Sequence, residues 1–373
     1  MEKFSLATTI YSGNDSLERL RLLKKETIFM VCDAFLPDTP TLKRILSEIG
    51  DTNQVTIFSD VKPDPPLANI IEGVKQFVPL KPTIVIGIGG GSAIDTAKGI
   101  RFFGEKLLKQ DIHKFIAIPT TSGTGSEITQ HCVLSDPEHQ QKYPIMEDFL
   151  RPDEALLDPQ LVMTAPKSVT AYSGLDVLTH SLESLVAVDA NTITDGLAEK
   201  GVDVITHDLV TCYRHGDDEA ARKRVHEISC AAGISFSNAG LGICHSIAHQ
   251  LGANFHVPHG LANAMLLPYV VSYNASKSKV ACAKYAQAAR KAGLASQGMG
   301  DRVAVRRLIS CIRQMMLQMD CPRTLQAFGI DVKDAAAKVD VIVANAKKDA
   351  TFPGNPVVPS DDDLSEIYQH VIK

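Results

Sequence analysis

Two periodicities divide the chain. Through the first 160 residues, short apolar runs rich in β-branched residues, "ETIFMVCD", "QVTIFSD", "TIVIGIGG" and "KFIAIPTT", end in turn-forming residues. Between them lie "TLKRILSEIG", "LANIIEGVKQF" and "SAIDTAKGIRFF", where apolar residues recur every three to four positions as on one face of a helix. Strand and helix in alternation predict a parallel sheet covered on both faces. After "ALLDPQLV" the strand pattern fades, and "SGLDVLTHSLESLVA", "DGLAEKGVDVITHDLVTCY", "KRVHEISCAAGISFSN", "ACAKYAQAARKAGLA" and "VAVRRLISCIRQMMLQM" all carry helical spacing. The expected organisation is an α/β domain over residues 1–160 and an all-helical domain over 161–373, with no internal repeat. The opening "MEKFSLATT" reads as the first strand, with a docking peptide as the alternative.

Length agrees with that division, since 373 residues exceed the roughly 250–300 at which a single core stops growing. The net charge of −5, with no basic stripe, argues against nucleic acid and anionic membranes as partners and favours small molecules. The sequence shows neither a secretory leader pattern nor an apolar stretch approaching the ~18 residues of a spanning helix, so a cytoplasmic protein is expected. Eight cysteines are scattered without a CxxC pair and are expected as free thiols. Cys244, next to His245, is either a small buried residue or a thiolate ligand.

"VIGIGGGSAIDTAKGI" sets Gly87, Gly89, Gly90 and Gly91 directly after a strand, with Ser92 opening a helix. Glycine lets the backbone approach a phosphate, and the helix N-terminus presents unpaired N–H groups, so the geometry suits an anion. Ser92 stands where a GxGxxG fingerprint has its third glycine, which leaves a plain structural turn as the other reading. "PTTSGTGSEIT" follows the next strand with hydroxyls at Thr120, Thr121, Ser122, Thr124 and Ser126. Two such loops at the carboxyl edge of one sheet point to a large phosphorylated ligand, and a pyrophosphate fits well. Asp33 ends another strand, where a carboxylate either bonds a ribose hydroxyl, favouring NAD over NADP, or merely caps the next turn of chain.

The segment from Gly242 to Pro268 holds four of the twelve histidines. His245 and His249 are four apart, as are Asp176 and His180, so each pair projects from one helix face. His259 comes next in "VPHGLAN", where Pro258 and Gly260 suit a turn between helices. Three imidazoles and a carboxylate suit Fe2+, Zn2+ or another borderline divalent ion. "HSIAH" has Ser246 where a metallopeptidase HExxH has its glutamate, which argues against that chemistry. His131 and His256 read as ordinary structural histidines.

Taken together, "GGGSAIDTAK", "PTTSGTGSE", "GLDVLTH" and "GLGICHSIAHQLGANFHVPHGLANAMLLP" resemble the iron-containing (group III) alcohol dehydrogenase family, in order and over nearly the whole chain. The resemblance implies a Rossmann-like dinucleotide-binding domain joined to a helical metal-binding domain, the dehydroquinate synthase-like architecture. It implies metal ligation by Asp176, His180, His245 and His259, with His249 as a non-ligand histidine beside the nicotinamide; an imidazole there is the candidate to relay a proton through a ribose hydroxyl or water. Pyrophosphate contacts fall on Gly90, Gly91 and Ser92, and further NAD(H) contacts on Asp33, Thr120, Thr121, Thr124, Lys142 and Leu161. Phe236 resembles an aromatic lining the substrate pocket.

Within the family, "FSLATTIYSG", "PTTSGTGSEIT" and "FHVPHGLANAMLL" resemble the branch that reduces propionaldehyde to 1-propanol in bacterial propanediol utilisation. That implies a homodimer acting on a small-molecule alcohol or aldehyde, in the cytoplasm or inside a microcompartment with its proteins as partners. A polyol dehydrogenase of glycerol type, a dehydroquinate synthase and a non-catalytic metal- or nucleotide-binding protein are the competing expectations. One departure is visible: Val357 follows Asn355 and Pro356 where the family's NPR-like motif has arginine.

Overall fold

The computed structural model describes residues 3–136 and 141–373, the side chains of Gln141 and Lys142 excepted. The chain forms two compact units, Leu6–Thr164 and Ala165–Lys373, the second joined by the N-terminal residues through Ser5.

In the first unit the strands are β1 (Thr9–Ser12), β2 (Thr27–Cys32), β3 (Gln54–Phe58), β4 (Ile84–Gly89), β5 (Lys114–Pro119), β6 (His131–Asp136), β7 (Gln141–Met146) and β8 (Glu154–Leu157). Its helices are α1 (Pro40–Ile49), α2 (Leu67–Leu80) and α3 (Gly91–Leu108). Six strands form one sheet in the order β1-β8-β5-β4-β2-β3, and every pairing is parallel. The period-2 alternation of a strand sends Phe29, Val31, Val85, Phe115 and Ala117 to one face, where they pack with Ile70, Phe77 and Ile100 of α2 and α3. Ile28, Met30, Ile86, Ile88 and Ile118 face the other way, against Leu42 and Ile45 of α1. Burial on both faces explains why these strands read as continuous apolar runs.

The chain leaves β2 toward β3 on one side and β4 toward β5 on the other, so the switch in direction lies between β2 and β4. That is where open parallel sheets bind ligands at their carboxyl ends. An antiparallel hairpin, β6 with β7, comes between β5 and β8 in the chain. The first strand begins at Thr9, so most of "MEKFSLATT" is not strand; the Ser5 backbone instead exchanges hydrogen bonds with the Asn238 side chain of the helical unit.

The second unit contains α4 (Lys167–Val186), α5 (Thr192–Arg214), α6 (Glu219–Ala239), α7 (Ile243–Phe255), α8 (His259–Lys277), α9 (Lys279–Lys291), α10 (Asp301–Gln318), α11 (Leu325–Phe328), α12 (Val332–Ala336), α13 (Val339–Ala346) and α14 (Asp361–Gln369). They surround one apolar core. Its middle helix is α4, buried along most of its length and yet carrying Asp176, His180 and Glu183. Burying such groups is costly unless each is paired, so the partners of α4 mark the functional centre.

Among the described residues no helix is long and apolar enough to cross a membrane. All eight cysteines are free.

Candidate metal centre and nucleotide loops

Asp176, His180 and Glu183 stand at i, i+4 and i+7, a single stripe on α4. Glycine brings the neighbouring helices onto that stripe. A Cβ at Gly260 would lie 2.1 Å from the Tyr172 carbonyl oxygen, so only glycine lets the first turn of α8 press against the α4 backbone. Gly260 is therefore a packing residue inside α8, not part of a turn, and His259 is the first residue of that helix, directly after Pro258.

The consequence is a convergence of four donors. One ligand atom from each of Asp176, His180, His245 and His259 lies within 4.8 Å of all the others. The closest approaches to the Asp176 carboxylate are 3.6 Å from His259 Nε2, 3.8 Å from His245 Nε2 and 3.9 Å from His180 Nε2. Around a tetrahedral ion, donors bound at ~2.1 Å stand roughly 3.4 Å apart, so the approaches to Asp176 need a contraction of tenths of an ångström, and the more widely spaced donors, up to 4.8 Å apart, a larger one.

Protonation states favour the same use. Burial pushes His245 down to about 4, so it is neutral and keeps a lone pair near pH 7. His259 is shifted in the same direction, first by burial, although its side chain remains partly exposed to solvent. Burial works against ionisation of Asp176, yet the surrounding imidazoles and the Asn263 hydrogen bond together hold it below the usual carboxylate range. Three nitrogens and one carboxylate in a pocket of this size fit a divalent ion of iron or zinc type.

Cys244 is not part of the set. Its thiol points to the Asn263 carbonyl at 3.4 Å, and burial, followed by the Glu183 and Asp176 carboxylates, raises it well above the ordinary range, so it stays a protonated small core residue.

Three residues that the sequence patterns did not single out complete the centre. Glu183 accepts the Cys244 backbone N–H at 2.7 Å and faces His245 Nδ1 at 2.5 Å; burial raises it to about 7 against the pull of the backbone N–H groups at the head of α7. Asn263 donates to Asp176 Oδ1 at 2.7 Å and lies 3.1 Å from His245 Nε2. Asp349 faces His249 Nδ1 at 2.8 Å and also accepts from the Thr351 backbone and hydroxyl. Burial opposes the charge on Asp349, but these donors keep it below the usual range. The i+7 spacing on α4 and the i+4 spacing from His259 were the signals for Glu183 and Asn263. Asp349, a hundred positions from His249, left none.

His249 lies off the four-donor cluster, its ring stacked on His259 with centroids 5.3 Å apart. Phe236 packs on His180 at 4.5 Å and so borders the centre. Asn355 of the altered C-terminal motif is buried: it bonds the Asn274 side chain in both directions and reaches the first N–H of α7. Val357 supplies a carbonyl to Asn355.

In the sheet unit the two loops meet. A Cβ at Gly91 would come within 2.7 Å of Thr124, and one at Gly90 within 3.4 Å of Thr121, so hydroxyls line the head of α3. Asp33 accepts the Gly90 N–H at 3.1 Å across the switch point, which joins the strand-end carboxylate to the glycine loop. Burial raises Asp33, with the Gly90 bond acting against it. Beneath the second loop, buried Lys98 donates to Ser126 O, Ser126 Oγ, Thr129 Oγ1 and His131 O within 3.1 Å. Thr120 is buried at the end of β5. Leu161 is buried in a short 3-10 turn, Pro159–Val162. Lys142 lies in β7 opposite Ser135, its side chain outside the described residues.

Comparison with known proteins adds an independent result. Residues 7–159 match the family described as iron-containing alcohol dehydrogenase, and residues 170–372 match its C-terminal part. The chain is 40% identical to the 1-propanol dehydrogenase PduQ of Citrobacter freundii over the full length of both. It is 36% identical to the NADPH-dependent butanol dehydrogenase of Clostridium saccharobutylicum, covering 100% of this chain and 98% of that one. The alcohol dehydrogenase of Oenococcus oeni superposes with a TM-score of 0.92 at 28% identity, covering both chains completely.

Proposed function

The chain belongs to the iron-containing alcohol dehydrogenase family, and from that membership we propose that it reduces propionaldehyde to 1-propanol with NADH at a centre formed by Asp176, His180, His245 and His259. The observation that carries the reading is the convergence of four metal-ligating side chains, one of them fixed by a carboxylate behind it. The propanol assignment is supported by the full-length 40% identity to a 1-propanol dehydrogenase.

When bound, the metal supplies Lewis acidity toward the substrate oxygen, and NAD(H) supplies or accepts the hydride. Asp176 and the three imidazoles would hold the ion, the carboxylate offsetting one of its two charges. His249 carries the proton between solvent and the substrate oxygen: Asp349 occupies Nδ1, which leaves Nε2 as the nitrogen that exchanges. Phe236, fixed on His180, limits the room for the substrate chain and so favours short aldehydes.

The nucleotide is held by the backbone N–H groups of Gly91 and Ser92 at the head of α3, with Gly90, whose own N–H is taken by Asp33, leaving room for the phosphate to approach, and by the hydroxyls of Thr120, Thr121 and Thr124. Leu161 is assigned a further contact on this reading; the Lys142 side chain, the other candidate, lies outside the described residues. A carboxylate at Asp33 disfavours a 2'-phosphate, so NAD(H) is the expected cofactor although one relative is NADPH-dependent. A homodimer in the cytoplasm or within a microcompartment is the setting that goes with this reading.

The test is NADH oxidation by propionaldehyde, using protein purified without oxygen and loaded with Fe2+ or Zn2+. Turnover that needs the metal and disappears in His259→Ala supports the proposal. Binding of NADH and metal without turnover on any short aldehyde overturns it and moves the search to polyols or to a non-catalytic role.

A further inference from the structure

His245 is held from both ring nitrogens. Its Nδ1 lies 2.5 Å from Glu183 Oε2, and its Nε2 lies 3.1 Å from the Asn263 amide nitrogen. An amide nitrogen only donates and an ionised carboxylate only accepts, so with Glu183 ionised the two neighbours place the ring proton on Nδ1, with the Nε2 lone pair directed into the cluster. Glu183 is buried, its other oxygen accepting the Cys244 N–H at 2.7 Å at the head of α7. That second bond fixes the carboxylate on the backbone of the same helix turn that carries His245, so ring and acceptor form one rigid unit.

We propose that Glu183 is a positioning residue for the metal centre, which holds His245 as the Nδ1–H tautomer so that Nε2 is the ligating atom. The inference rests on the metal-centre reading above and extends it to a residue outside the ligand set. Glu183 acts on the four-donor centre through His245. A carboxylate behind a ligating histidine sets ring orientation and raises ligand basicity, and its loss typically costs about 10–100-fold in metal affinity.

Glutamine tests this because its single oxygen can serve only one of the two donors that Glu183 serves. If the oxygen stays with the Cys244 N–H, the amide nitrogen faces His245 and favours the Nε2–H tautomer, which has no lone pair for the ion.

The experiment measures Zn2+ affinity of metal-free protein by competition with a chromophoric chelator, for the parent, Glu183→Gln, Glu183→Asp and His245→Ala. Histidine-selective 15N NMR of the metal-free parent and Glu183→Gln, with His245→Ala assigning the resonance, reports the tautomer. The proposal expects a parent His245 protonated at Nδ1, an affinity loss of about 10–100-fold in Glu183→Gln with the proton moved to Nε2, and partial recovery in Glu183→Asp. An Nε2–H tautomer in the parent overturns it without recourse to any variant, even one that fails to fold. So does Zn2+ binding by Glu183→Gln within twofold of the parent, or a loss of affinity with the tautomer unchanged, which would make Glu183 a helix cap only. Parent-like Zn2+ affinity in His245→Ala would instead refute the underlying ligand assignment.

Discussion

Gly260→Ala isolates the packing contact that places His259. A Cβ at this position would lie 2.1 Å from Tyr172 O and 2.7 Å from the Tyr172 carbonyl carbon. Ordinary carbon–oxygen contacts begin near ~3.3 Å, so the first turn of α8 must retreat from α4 by about 1 Å. The obstacle is backbone, which cannot rotate aside as a side chain does. Alanine gains up to about 1 kcal/mol of helix propensity over glycine, but overpacking of this kind costs about 1–3 kcal/mol, so net destabilisation is expected. The larger effect falls on the centre. His259 precedes Gly260 on the same turn, and its Nε2 lies 3.6 Å from Asp176 Oδ1. A displacement of about 1 Å far exceeds the ±0.2 Å within which ligand distances hold. At least a tenfold loss of Zn2+ affinity is expected, about 1.4 kcal/mol. Chelator competition reads that loss, thermal unfolding reads stability, and NADH fluorescence serves as the control that should stay unchanged. Zn2+ affinity within twofold of the parent, with an unaltered melting temperature, would refute the claim that this glycine contact positions the ligand.

His249→Ala should lower kcat by about 10²-fold or more, the scale of a general acid–base contribution, while metal content stays near that of the parent. Metal loss equal to that of His245→Ala would end the separation of roles. Asp349→Asn should reduce kcat in the same direction but less, with KM for aldehyde nearly constant, as steady-state kinetics can check. Gly91→Ala puts a Cβ within 2.7 Å of Thr124 and should weaken NADH binding about tenfold without changing Zn2+ affinity; an unchanged fluorescence titration would contradict it. For metal-free protein, buried His245 and His226 are each depressed to about 4 from the ordinary 6.5. Between those values the unfolded chain binds protons that the folded one does not, so the stability these two groups control should be intact above pH 6.5 and fall as pH drops toward 4. Urea unfolding across that range would show it, and His226→Asn should flatten part of the slope.

The sheet and the ligand spacing were legible because each rests on a short-range pattern. β2, β4 and β5 are buried on both faces, and two-sided burial writes itself as an unbroken apolar run. Asp176 with His180, and His245 with His249, share faces by helical geometry alone. The β6–β7 hairpin was not legible: His131–Asp136 lacks a clean alternation, and its partner strand contains Pro144. Gly260 reads as a turn residue after Pro258, because sequence cannot show that the absent side chain makes room for the backbone of another helix. Glu183 carried a usable i+7 signal that the apolar character of α4 concealed. Asp349 meets His249 only through tertiary folding, which no local window records. Asn355 keeps a structural position tying α7 to α8, so the arginine replaced by Val357 is not needed for that contact.

The most direct test of the metal-dependent reduction is an anaerobic Fe2+ titration of metal-free protein, followed by the rate of NADH oxidation with propionaldehyde. The rate should rise linearly and break at one equivalent per chain, with no rise in Asp176→Ala or His245→Ala. Full turnover without added or residual metal, or a parent-like titration in either variant, would contradict a four-donor catalytic centre.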